Sequence, residues 1–143
     1  MTRATMLGLC LLAAGCGGAP LLVDAERDLG VAPLEVHLVR VTSTGLVPDA
    51  PIELRKNEGG VVFVNDTTDR AVAVVVSGTL CHLNCSFTAR FVADGGATYT
   101  DRPLDPGAAA SLCVHLAGTF PFEVHGVTDG GPLAGVLHVG GAP

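Results

Sequence analysis

Val61-Val62-Phe63-Val64-Asn65 runs into the turn-forming Asp66-Thr67-Thr68-Asp69 and then into Ala71-Val72-Ala73-Val74-Val75-Val76. Two short β-branched runs separated by a polar turn read as consecutive strands rather than as one helix. The pattern repeats outward in both directions. Upstream, Leu34-Glu35-Val36-His37-Leu38-Val39 alternates apolar and polar residues. Downstream, Ser111 to Leu116 and Phe120 to Val124 flank the turn Ala117-Gly118-Thr119, and Leu133 to Val139 forms a last strand. Glycine and proline punctuate the chain at short intervals, and no stretch sustains a helical period with caps. Residues 77 to 110 form the least regular part. The expectation is an all-β domain, an antiparallel Greek-key β-sandwich, with Phe63, Val72, Val74, Phe120, Phe122, Val124 and Val136 facing the core.

The first residues address the compartment. Arg3 supplies a positive start, and Met6 to Ala14 form an apolar run too short to span a bilayer, which needs roughly 20 apolar residues. Leu12-Ala13-Ala14-Gly15-Cys16 resembles the lipobox of bacterial lipoproteins, with the leucine one position earlier than the usual pattern. The resemblance implies a signal peptide over 1–15, a lipidated Cys16 with a tether over 16–30, and one domain over 31–143. It also implies a membrane anchor through Cys16 and a place in the cell envelope, on the periplasmic or extracytoplasmic face. An ordinary signal peptide cut near Gly15 is the competing reading.

Charge and length exclude other classes. The formal net charge is −6 with basic residues scattered, so nucleic acid is not an expected partner. The mature length suits one core and no more. No nucleophile elbow, HExxH or phosphate-cradling glycine loop is present, so neither an enzyme nor an organic cofactor is expected.

Several motifs, each weak alone, agree in order with one family. Val61 to Asn65, the turn Asp105-Pro106-Gly107, the run Gly118-Thr119-Phe120-Pro121-Phe122-Glu123-Val124 and the final Leu133 to Val139 resemble the corresponding parts of cupredoxins, over roughly residues 52 to 139. Gly30 to Val36 resembles instead the start of some immunoglobulin-like bacterial domains, an alternative sandwich. The cupredoxin resemblance implies a copper site of two His, one Cys and an axial Met. At those positions this chain has Ala71 or Val72, Val124, Val127 and Leu133, and its only methionines, Met1 and Met6, lie in the leader. An ordinary blue-copper site is therefore not expected.

The remaining thiols offer a different site. Cys81-His82-Leu83-Asn84-Cys85 is a C-x3-C loop, and Cys113-Val114-His115 is a C-x-H on a strand. Residues i and i+2 share a strand face, roughly 7 Å apart at Cα. With Leu112, Val114 and Leu116 turned to the core, Cys113 and His115 would face outward. Pro121, Glu123 and His125 would stand on a neighbouring strand. Cys81, Cys85, Cys113 and His115 then form a Cys₃His set suited to copper or zinc, with His82 and His125 as alternative imidazoles. A protein with this site would hold a metal or exchange it with a metal-donor or acceptor protein. The rival reading is a metal-free binding module stapled by a disulfide, Cys81–Cys85 or Cys85–Cys113, as an oxidising compartment favours. His37 and His138 read as solvent-facing or hydrogen-bonded strand residues.

The anchor is directly testable. Changing Cys16 to Ser should move the protein from the membrane fraction to the soluble envelope fraction. Retention on the membrane, with no diacylglyceryl mass on the wild type, refutes it.

Overall fold

The computed structural model describes residues 35–80 and 85–140, which form ten strands and no helix. They are β1 (Glu35–Thr42), β2 (Gly45–Val47), β3 (Ile52–Arg55), β4 (Gly59–Asn65), β5 (Ala73–Ser77), β6 (Phe91–Asp94), β7 (Ala97–Thr100), β8 (Ala109–Cys113), β9 (Gly118–Thr128) and β10 (Gly131–Gly140). One sheet runs β2-β1-β4-β8 and the other β3-β10-β9-β5-β7-β6. The two pack as a sandwich around a single apolar core. Cys16, Cys81 and His82 lie outside the described residues.

Both sheets are mixed, which corrects the expectation of a wholly antiparallel arrangement. β1 runs parallel to β4, and β10 runs parallel to β3. The parallel register also sets which side of β1 faces inward. Residues paired across a ladder share a face, and Val39 and Val41 pair with the buried Phe63 and Asn65. Val39 and Val41 are therefore core, while Val36 and Leu38 lie on the outside, each 50% exposed. Over Glu35–Val39 the alternation is real, but its apolar residues Val36 and Leu38 face out.

The same rule settles the other core positions. Phe63, Val72, Val74, Phe122 and Val124 are buried as expected, and Phe120 packs against the core while partly exposed. Val136 does not face inward. It pairs with the exposed Pro121, whereas Gly135 and Leu137 pair with the inward Phe122 and Phe120. Leu137 and Val139 carry the inner face of β10.

The turn after β4 is held by a buried carboxamide. Asn65 is fully buried, and its Nδ2 donates to the carbonyls of Arg70 (2.7 Å) and Leu104 (2.8 Å). Its Oδ1 accepts from the N–H (3.0 Å) and hydroxyl (2.7 Å) of Thr67. Every polar atom of the side chain is satisfied, so its burial is tolerated. On the surface, Arg70 meets Asp129 at 2.9 Å; the hydrogen bond and charge raise the Arg70 pKa and lower that of Asp129.

Phe63 and Phe122 meet across the sandwich with ring centroids 5.2 Å apart and planes at 73°. Gly135, the cross-strand partner of Phe122, makes room for that ring: a Cβ there would sit 2.2 Å from the ring's Cζ. Phe122→Ala should lower stability by about 3–5 kcal/mol through the cavity it leaves. Gly135→Ala should also destabilise, by overpacking. The second loss should shrink sharply in a Phe122→Leu background, as denaturant melts of the double-mutant cycle would register. Additive losses would place the glycine's role elsewhere.

Candidate functional site

β8 is the edge strand of the four-stranded sheet, paired to β4 on one side through Gly60↔Cys113 and Val62↔Ser111. Its other side receives the segment 85–89. Ala89 and Ser111 exchange backbone hydrogen bonds at 2.9 and 3.0 Å, and the Ser111 hydroxyl donates to the carbonyl of Phe87. A tight turn brings the Thr88 N–H to the Cys85 carbonyl at 3.0 Å, and the Cys113 N–H donates to the Thr88 hydroxyl at 3.1 Å. These contacts lay Cys85 beside Cys113. The two are joined in a disulfide, with Cα atoms 6.4 Å apart and a sequence separation of 28 residues. That is the second of the two bridges the sequence left open.

The strand reading around Cys113 needs three corrections. Ala110 and Leu112 face the core as alternation requires, but Cys113 is not outward and open: it is 3% exposed, because the bonded loop covers it. Leu116 does not join the core and is 39% exposed, because β8 ends at Cys113 and strand parity has no hold beyond the ladder. Finally, β9 is not the neighbour of β8. It belongs to the other sheet, between β10 and β5. His125 therefore stands on the outer face of that sheet, 3.1 Å from Glu123, and is not brought to the cysteines.

His115 is brought to them. The Cys85 and Cys113 sulfurs and a His115 ring nitrogen all lie within 4.8 Å of one another. The histidine is fixed on two sides. Its backbone N–H donates to the carbonyl of Leu80 at 2.9 Å, and its Nδ1 lies 3.2 Å from the Oδ1 of Asn57. Asn57 escaped the sequence reading. The run Lys56-Asn57-Glu58-Gly59-Gly60 carries a turn signal there, but nothing in it points at a histidine fifty-odd residues on. Cys85 also lines a cleft of about 130 Å³ with Phe91, Val92, Thr98 and Leu112 at the open edge of the sandwich.

What this set can hold depends on its oxidation state. As a disulfide, the two sulfurs are not thiolates and offer no metal ligands. As thiols, two sulfurs and an imidazole nitrogen form a soft donor set that fits Zn²⁺ or Cu⁺, whose bonds to sulfur are about 2.3 Å for zinc. Cys81, one residue beyond Leu80 in the sequence, lies outside the described residues. The other described histidines have local partners: His37 stands 3.0 Å from Glu35, and His138 lies 3.2 Å from the Thr119 hydroxyl. Val72, Val124 and Val127, which the resemblance laid at copper-ligand positions, are buried among the core residues.

No family pattern matches the chain, and no curated protein matches it in sequence. Solved structures do match in shape. Two Cu(I) structures of amicyanin variants, one of them reduced at pH 4, superpose with a TM-score of 0.50 at 14% and 15% identity. Each match covers 77% of this chain and 86% of the amicyanin chain. Auracyanin B matches with a TM-score of 0.49 at 19% identity, over 77% of this chain and 91% of its own. The amicyanin likeness shows that the fold is cupredoxin-like. At such identity it speaks only to the fold.

The disulfide closes the loop that carries Cys85 onto the sheet edge. Cys85→Ser should lower stability by about 2–4 kcal/mol, read from denaturant midpoints under non-reducing conditions. No change in midpoint between wild type and variant would remove the staple from the account.

Proposed function

We propose that this is an exported, lipid-anchored protein of cupredoxin-like fold that holds or hands over copper or zinc through cysteine and histidine. The observation that carries the reading is the convergence of Cys85, Cys113 and His115 within 4.8 Å. The blue-copper positions are apolar in this chain, so the electron-transfer chemistry of that site is not part of the proposal. Cys81 would complete the donors, and a metal-donor or acceptor protein of the envelope would be the partner. The protein is not proposed to be an enzyme.

The binding form is the reduced one. Two electrons and two protons from a dithiol donor convert the Cys85–Cys113 disulfide into two thiols, and the donor leaves as its own disulfide. Metal capture then releases the thiol protons. The cleft that reaches Cys85 gives a thiol donor its approach, since Cys85 is 8% exposed and Cys113 3%. The chain's residues do the rest. As thiolates, Cys85 and Cys113 supply negative charge and soft donors, and the half-buried His115 supplies nitrogen. A bound ion would serve as cargo, with no redox step required of the protein.

One observation favours a second reading. The disulfide itself fits a metal-free sandwich that presents its loops to a protein partner, with the cysteines as staple only. Native mass spectrometry of the mature chain separates the two, run once oxidised and once reduced under anaerobic conditions, with a thiol count beside the metal count. The metal reading expects one ion per reduced chain, none per oxidised chain, and no intense band near 600 nm with copper. Cys113→Ser should abolish binding and His37→Ala should leave it intact. Metal retention by Cys113→Ser would remove this ligand set, and no metal on the reduced wild type would establish the stapled module instead.

A further inference from the structure

We infer that Asn57 fixes His115 as the tautomer protonated at Nδ1, so that Nε2 carries the lone pair and is the nitrogen that meets the metal. The inference rests on the metal reading above and adds to it a positioning residue and a ligating atom.

The geometry leaves the ring little choice. With the Asn57 carboxamide turned as it stands, Oδ1 faces the ring and can only accept, so the proton is assigned to Nδ1, 3.2 Å away. A neutral imidazole has one N–H, and placing it on Nδ1 leaves Nε2 free as a donor to a cation. Hydrogen bonding of the second ring nitrogen is the general way in which proteins orient a ligating histidine and strengthen it as a ligand.

Asn57 is itself held in place for this. Its backbone N–H donates to the carbonyl of Val114 at 3.0 Å, and the Val114 N–H donates to the carbonyl of Gly59 at 3.1 Å. This pair of bonds pins the β3–β4 turn against the residue preceding His115. The turn requires φ of +64° at position 57, a left-handed conformation that asparagine tolerates better than most residues. From the other side, Leu80, which is fully buried, takes the His115 N–H. His115 is thus clamped between the turn that carries Asn57 and the Leu80 carbonyl in the segment after β5. The other described histidines differ. The Nε2 atoms of His37 and His125 face carboxylates two residues away on their own strands, and none of them lies with the sulfurs.

The test uses the full mature chain, reduced and metal-free, at about pH 8, where an ordinary imidazole is neutral. Asn57→Gly removes the carbonyl while accepting the left-handed backbone. Asn57→Asp keeps an acceptor oxygen and also tolerates that conformation. Long-range ¹H–¹⁵N NMR reads the His115 tautomer, and chelator competition reads the affinity for Zn²⁺. The wild type should show the proton on Nδ1. Asn57→Gly should lose that preference and bind Zn²⁺ about 10–100-fold more weakly, while Asn57→Asp should restore both. A folded Asn57→Gly protein that keeps the Nδ1 proton and the wild-type affinity would overturn the inference. A wild type that binds no Zn²⁺ overturns the metal reading instead, and the tautomer, read without metal, still decides whether Asn57 sets the ring.

Discussion

The contact on which the rest of the molecule depends is the edge-to-face meeting of Phe63 and Phe122. Each lies on a strand central to its sheet, β4 in one and β9 in the other. Their rings reach across the sandwich, and Phe91 joins from the edge at 5.9 Å from Phe63. Such tilted aromatic pairs add about 0.5–1.5 kcal/mol beyond the area they bury. Their larger effect is on register. If β4 slipped by one residue, Phe63 would turn to solvent and Val62 would face the core in its place. Fixing Phe63 fixes Val39 and Val41 on the parallel β1, and fixing Phe122 demands the bare backbone of Gly135 on β10.

With the core anchored at the centre, the chemistry falls to the edge. β8 has a ladder partner only in β4, and its free side would expose unpaired backbone groups. Segment 85–89 covers that side through the Ala89–Ser111 exchange and the Thr88 and Phe87 contacts. The covering segment carries Cys85 to Cys113. The donor cluster is thus a consequence of how an open edge is closed, and it lies on a different sheet from β9 and β10, which carry Val124, Val127 and Leu133 of the positions that the resemblance to copper proteins laid as ligands.

How much of this was legible in the sequence follows from what each signal encodes. β4, β5, β9 and β10 were readable because β-branched runs bounded by turn residues report a strand without reference to its partners. Their pairing was not, because parallel and antiparallel neighbours use the same residues. That is why β1 presents Val36 and Leu38 to solvent and why Val136 faces out. The β6–β7 hairpin went unread within the irregular stretch 77–110, although Gly95-Gly96 between Asp94 and Ala97 carries the two positive-φ glycines a tight hairpin favours. At the site, the C-x-H spacing of Cys113 and His115 marked residues that do come together. Parity failed at Leu116 because the strand stops before it. Asn57 was invisible because a hydrogen bond between distant chain positions leaves no local pattern.

The two readings of the cysteines compete for the same electrons but not for the same loop. A disulfide between Cys85 and Cys113 restrains a loop of 28 residues in the unfolded chain. Two thiolates on one metal ion restrain that same loop, since the ion bonds to both sulfurs at once. Chain-entropy stabilisation depends on loop length through a logarithm and hardly on the chemistry of the clip. The fold therefore has a covalent closure as the disulfide, and under the proposed function a bound ion would supply a coordinative one. Only the reduced, metal-free chain lacks both. The Phe63–Phe122 contact and the edge hydrogen bonds around Ser111 do not involve sulfur. Under the proposed function, reduction would open the staple while these contacts remain available, and the soft donors would appear beside the imidazole that Asn57 and Leu80 hold.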